Sequence, residues 1–144
     1  MKHPAYAIAL ICGSLLLFGG VASAQDDGHV YVVVTWESIM PDGGTAEERD
    51  ALVSEYVEAV IKKNDKIISH KNLRHMYGGN NHDWVVINEY ATFADIAEAS
   101  ELNQKLSEKK WPNEKKRTEF FRKLGKYFTG HADEIYRALP EFDK

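Results

Sequence analysis

Six consecutive residues near the C-terminus, His131-Ala132-Asp133-Glu134-Ile135-Tyr136, place an imidazole, two carboxylates and a phenol in one short stretch. Such groups do general acid–base work when a cavity perturbs their pKa values. In an extended backbone His131, Asp133 and Ile135 share one face, and Glu134 and Tyr136 share the other. The competing reading leaves His131 at the C-terminal end of the preceding helix, where a cation is favoured, with Asp133 and Glu134 at the surface. His131, Asp133, Glu134 and Tyr136, together with His75, are the acid–base candidates.

A second constellation is aromatic. Trp36, Tyr77, Trp84, Asn88 and Tyr90 fall on three expected strands, and alternation places Trp84, Val86, Asn88 and Tyr90 on one side of theirs. A sheet face carrying these residues and His75 suits an aromatic-lined pocket with a few polar groups. The same aromatics serve equally well as the core of a dimer interface. His70, His75, His82 and His131 show no ligand spacing such as His-x-x-x-His, so no metal site is expected. Lys109-Lys110 and Lys115-Lys116-Arg117 flank Trp111, a pattern that binds anions or membrane surfaces and equally describes a solvated helix face. No Ser-His-Asp order, phosphate loop or dinucleotide fingerprint is present.

The elements that must position these groups follow from periodicity. Val30–Glu37 (VYVVVTWE) is a strand, apolar on both faces and therefore expected to be central and covered on both sides. Thr45 caps a helix expected from about Ala46 to Ile68, with Asn64-Asp65 interrupting its period. Leu73–Tyr77 (LRHMY) reads as a second strand, Gly78-Gly79-Asn80-Asn81 as a turn, and Trp84–Tyr90 (WVVINEY) as a third strand. Thr92 caps the next helix, and Trp111-Pro112-Asn113 breaks it and caps another. That last helix is expected to end at Thr129-Gly130, with Gly130 in the left-handed position. His131–Leu139 reads as a final strand or as a loop. The order β-α-β-β-α(α)-β corresponds to a ferredoxin-like α+β fold with a four-stranded antiparallel sheet.

The N-terminus bounds where this chemistry takes place. Lys2, an apolar run from Ala5 to Phe18, Gly19-Gly20 and then Ala22-Ser23-Ala24 follow the order of a cleavable export signal. The run is short for the roughly 20 residues that span a bilayer. Cleavage after Ala24 removes 24 of the 144 residues and leaves 120, one domain's worth, at residues 25–144. The single cysteine, Cys12, is lost with the signal, and with it thiol chemistry and disulfides. Loss of Lys2 takes the net charge from −4 to −5, which argues against general nucleic-acid binding. No later stretch is long enough to span a membrane. The expected address is the periplasm or the exterior. Nicotinamide and flavin reductants are scarce there, so no cofactor is expected.

VYVVVTWE, the long first helix, WVVINEY and the TFADIAEA segment after it together resemble the dimeric α/β-barrel superfamily. This group includes small antibiotic-biosynthesis-monooxygenase-like, haem-degrading and stress-responsive barrel proteins. The stretch from Trp111-Pro112-Asn113 to Tyr136 also resembles that of exported bacterial proteins without an assigned activity. The resemblance implies two ferredoxin-like protomers packed sheet against sheet, with a ligand held in the barrel. The Asn-Trp-His constellation of the haem-degrading branch finds no matching spacing among Trp36, Trp84, Asn88, His75 and His82. The expectation is therefore an exported homodimer binding a small apolar or aromatic ligand. The alternatives are a cofactor-independent monooxygenase or isomerase acting on such a ligand, and a non-catalytic envelope or stress-related structural dimer.

Overall fold

Strand β1 (Val30–Ser38) occupies the middle of a sheet because both its edges are taken. On one side it pairs antiparallel with β3 (Asp83–Tyr90), Val34 opposite Val86 and Trp36 opposite Trp84. On the other it pairs antiparallel with β4 (Phe128–Arg137), Trp36 opposite His131 and Val34 opposite Asp133. Strand β2 (Ser69–Arg74) adds antiparallel to β3, giving the order β2-β3-β1-β4. This computed structural model describes residues 28–79 and 83–144. The expected export signal with its cleavage after Ala24, Cys12, and Asn80, Asn81 and His82 lie outside the described residues.

Helices α1 (Ala46–Ala59), α2 (Ala94–Lys110) and α3 (Glu114–Gly125) complete the fold. Each begins on a side-chain cap that satisfies an otherwise orphaned amide. Thr45 Oγ1 accepts from the Glu48 amide at 3.1 Å, and Asn113 Oδ1 accepts from the Lys116 amide at 3.1 Å. Thr92 and Asp95 cap reciprocally: the Asp95 carboxylate accepts from the Thr92 amide and hydroxyl, and Thr92 Oγ1 accepts from the Asp95 amide. The four-stranded antiparallel sheet and the β-α-β-β-α-α-β order are those of the expected ferredoxin-like fold.

Four local expectations are corrected. Helix α1 stops at Ala59, because Val60 leaves helical geometry at φ −120°, ψ −63°, and only a 3₁₀ turn, Ile61–Lys63, follows. Asn64 then ends the run: its Oδ1 accepts from the Lys66 amide, and its Nδ2 donates to the Ala99 carbonyl and to Asn103 Oδ1. Ile67 and Ile68 continue the helical spacing only by coincidence, since the Ile68 amide already donates to the Glu89 carbonyl of β3 at 2.8 Å. Strand β2 is Ser69–Arg74 rather than Leu73–Tyr77. As an edge strand of mostly polar residues, it lacks the apolar signature that identifies a buried strand.

Helix α3 stops at Gly125 rather than at Thr129-Gly130, and its last carbonyls accept from the Lys126 and Tyr127 amides. Gly130 lies within β4 and is not among the glycines at positive φ. His131–Leu139 had two readings; the strand is found as far as Arg137. His131 therefore caps no helix. Its strand neighbour is Trp36, and the two ring centroids are 4.3 Å apart.

The core sits between the helices and the sheet face bearing Val30, Val34, Trp36, Trp84, Val86 and Tyr90. Tyr127 and Val60 are its largest fully buried side chains. Burial of the Tyr127 ring is compatible with its hydroxyl only because that group is satisfied: it donates to Glu48 and accepts from the Thr45 amide at 3.3 Å. Across the sheet, Tyr31, Val33, Val85, Ile87, Leu73 and Tyr136 share the opposite face, with Leu73 and Tyr136 about half exposed.

Candidate functional site

A cavity of about 450 Å³ lies between the sheet and the helices. The sheet contributes Val34 and Trp36 from β1, His70 and Asn72 from β2, Trp84, Val86 and Asn88 from β3, and Phe128 from β4. Helix α1 contributes Val53, Tyr56 and Val57, helix α2 contributes Asn103, and helix α3 contributes Phe121, Leu124 and Gly125. The cavity is thus internal to one protomer, on the helix side of the sheet. The resemblance had pointed instead to a barrel between two sheets.

Its walls divide by chemistry. At one end Trp36, Trp84 and Phe128 meet edge to face, with centroids 5.8 and 5.9 Å apart. Tyr56 and Phe121 make a similar contact at 5.9 Å on the helix side. The sheet-side polar wall comes from alternation: His70 is opposite Asn88 and Asn72 opposite Val86 in the β2–β3 register, so both β2 side chains share the cavity face.

These polar groups form one directed chain. The Trp84 indole Nε1 donates to Asn72 Oδ1 at 2.9 Å. Asn72 Nδ2 then lies 2.7 Å from His70 Nε2, and His70 Nδ1 lies 2.6 Å from Asn88 Oδ1. An indole nitrogen only donates, so Asn72 must present its oxygen to Trp84 and its amide hydrogens to His70. His70 Nε2 is then the acceptor and Nδ1 carries the proton given to Asn88. The tautomer is assigned by the network. Asn88 also contacts the Tyr90 hydroxyl, which works against the burial that pushes the Tyr90 pKa up. Burial raises the Tyr56 pKa as well, so both phenols keep their protons at neutral pH.

Among the described residues no Asp, Glu, Lys or Arg lines the cavity. Spare donors remain: Asn72 has a second amide hydrogen, and Asn103 offers both of its own, since Asn103 Oδ1 is engaged by Asn64. The cavity therefore suits a neutral, largely apolar or aromatic molecule with an oxygen acceptor at its polar end. Behind Trp84, the buried Arg49 guanidinium stands 5.0 Å from the ring centroid and is held by Asp50 and Ser38. It supports the indole from outside the lining.

Of the expected ligand-binding residues, Trp36, Trp84 and Asn88 come together on the cavity wall. Tyr90 shares their face but is buried beyond the lining. Tyr77 lies past the end of β2 and is 96% exposed, away from the cavity. The acid–base candidates do not converge. His75 is in the loop after β2, and His131, Asp133, Glu134 and Tyr136 lie along the exposed edge strand β4. His131 pairs with Asp133 at 3.3 Å, and Tyr136 donates to Glu134. His70, Asn72, Tyr56 and Asn103 were not anticipated. The signal for the first two was the alternation of His70 and Asn72, concealed by the misplaced strand. Among the described residues no group of three or more His, Cys, Asp or Glu is placed to hold a metal.

No protein-family model and no curated protein matches the sequence. Solved structures do match in fold. A variant of SnoaB, a cofactor-independent oxygenase from Streptomyces nogalater, has a TM-score of 0.53 at 11% identity, covering 81% of this chain and 98% of that one. A nipsnap family protein of unknown function from Agrobacterium tumefaciens has a TM-score of 0.55 at 13% identity, covering 78% and 89%. A DABB family protein with a ferredoxin-like fold from Mesorhizobium loti has a TM-score of 0.52 at 11% identity, covering 78% and 98%. These likenesses show a shared ferredoxin-like fold.

Proposed function

We propose that this chain is an exported, homodimeric protein that binds a small neutral apolar or aromatic ligand between its sheet and its helices. The observation that carries the reading is the charge-free aromatic cavity with one wall of ordered amides and an imidazole. A charged ligand would have no counter-ion there and would lose its hydration. A planar ring meets Trp36, Trp84, Phe128 and Phe121, and an oxygen meets the spare amide donors of Asn72 and Asn103. Export is supported by the order Lys2, apolar run and Ala22-Ser23-Ala24. Dimerisation is supported by the open sheet face, where Val33, Val85, Ile87 and Leu73 present apolar surface that a second protomer would cover.

The test is direct. The purified protein is titrated with N-phenyl-1-naphthylamine, a neutral aromatic probe, and its mass is measured by light scattering. Saturable probe fluorescence and a dimer mass support the reading. No binding of the probe, and no co-purified small molecule in native mass spectra, would sink the ligand half; a monomer would sink the dimer half.

A cofactor-free oxygenase or isomerase is the second reading, favoured by the placement of His70 on the cavity wall within a directed hydrogen-bond chain. Its Nε2 accepts from Asn72, so proton exchange with a bound hydroxyaromatic ring requires the ring hydroxyl to displace the Asn72 amide from Nε2. Oxygen uptake with a dihydroxynaphthalene, lost in His70→Ala, distinguishes this from binding alone.

A further inference from the structure

Charge in this protein is strongly segregated. Residues 105–126 carry nine Lys and Arg against three Glu, while the other described residues carry eight basic against seventeen acidic groups. Pairing is segregated too. Basic residues elsewhere are largely engaged: Arg49 and Arg74 with Asp50, Lys62 with Glu58, and Lys66 with Asp95 and Glu98. In the 105–126 segment, Lys110 pairs with Glu55, and the Arg117 guanidinium is spent on the Trp111 carbonyl. Lys105, Lys109, Lys115, Lys116, Arg122, Lys123 and Lys126 are exposed and make no ion pair among the described residues. Six unpaired cations on two successive helices, with Lys126 directly after the second, form a surface that attracts anions.

The same helix borders the cavity. Phe121 and Gly125 of α3 both line it and are exposed, Phe121 at 39% of its surface. They place an opening of the cavity on the helix that carries Lys115, Arg122 and Lys123.

We propose that the α2–α3 corner docks this protein onto an anionic phospholipid bilayer. A plane of negative headgroups complements a cationic corner while leaving the acidic remainder in solution; an extended polyanion would have to run along that remainder. Each cation near such a surface strengthens binding roughly fivefold, and the attraction fades within a Debye length. The contact is peripheral, since no described helix is long and apolar enough to cross a membrane. Docking stands on charge alone. Its consequence, that a membrane-dissolved ligand enters beside Phe121, rests on the cavity reading.

The experiment is co-sedimentation of the purified protein with vesicles of phosphatidylcholine, or of phosphatidylcholine and phosphatidylglycerol in equal parts. Binding is expected only to the second, and it weakens as salt is raised. Lys115→Glu, Arg122→Glu and Lys123→Glu together reduce it roughly a hundredfold or more at an unchanged melting temperature, while Lys71→Glu on the open sheet face leaves it intact. Equal binding to neutral vesicles overturns the proposal, as does undiminished binding by a folded triple variant. So does capture by soluble polyphosphate with no vesicle binding. Naphthylamine fluorescence in the wild type reports the cavity separately: its absence beside retained vesicle binding removes the ligand-entry consequence and leaves docking standing.

Discussion

The indole nitrogen of Trp84 donates to Asn72 Oδ1 at 2.9 Å, and that bond sets the orientation of every polar group after it on the cavity wall. Were Asn72 to turn, its amide hydrogens would face the indole N–H, and His70 Nε2 would lose its donor. Trp84→Phe keeps most of the ring and removes the donor. It is expected to cost about 1–2 kcal/mol in chemical denaturation and to weaken naphthylamine binding. Asn72→Ala should weaken the probe similarly. An unchanged probe affinity in both variants would show that this wall does not contact the ligand.

Gly125 gives a sharper separation of binding from stability. A Cβ there meets nothing within 4 Å, and its backbone is not at positive φ. Gly125→Phe is therefore expected to occupy the mouth of the cavity and abolish probe binding. The denaturation midpoint should stay the same or rise, because glycine is the weaker helix former. Loss of both fold and binding would contradict the open space at this position.

Glu89 predicts an acid-sensitive contribution from the opposite face. The Ser69 hydroxyl, together with His29 and Tyr31, holds the Glu89 carboxyl below its ordinary value of 4.5, against an opposing push from burial. A lowered native pKa means that stability is fully present above the ordinary value and is lost as pH falls through the native one. Denaturation midpoints followed from about pH 6 to about pH 3 should fall less steeply in Glu89→Gln than in the wild type. Identical slopes would remove this carboxylate from the acid response.

The reciprocal cap of α2 makes a coupling prediction. Thr92→Ala is expected to cost about 1 kcal/mol, and Asp95→Ala removes the partner of the same bonds. In a double-mutant cycle the two losses should be less than additive. Full additivity would mean that the two caps act independently.

How much of this was legible in the residues alone depends on whether local pattern and tertiary partner agree. The sequence by itself determined the central strand β1, because a run apolar on both faces has only one place in a sheet. It also determined the element order of the ferredoxin-like fold, the caps at Thr45, Thr92 and Asn113, and the alternation that puts Trp84 and Asn88 on one face. It carried the export reading as well, which lies outside the described residues. What only the tertiary structure decided is where the polar wall is. A polar edge strand has no apolar period of its own, so the β3 ladder, and not composition, sets β2 at Ser69–Arg74. That register brings His70 and Asn72 into the cavity and leaves His75 and Tyr77 outside it. Likewise the dense His131–Tyr136 stretch lies along an exposed edge strand and is not gathered at the cavity. Proximity along the chain says which groups are near each other, whereas a site requires groups that converge, and only the packing of helices on the sheet supplies that.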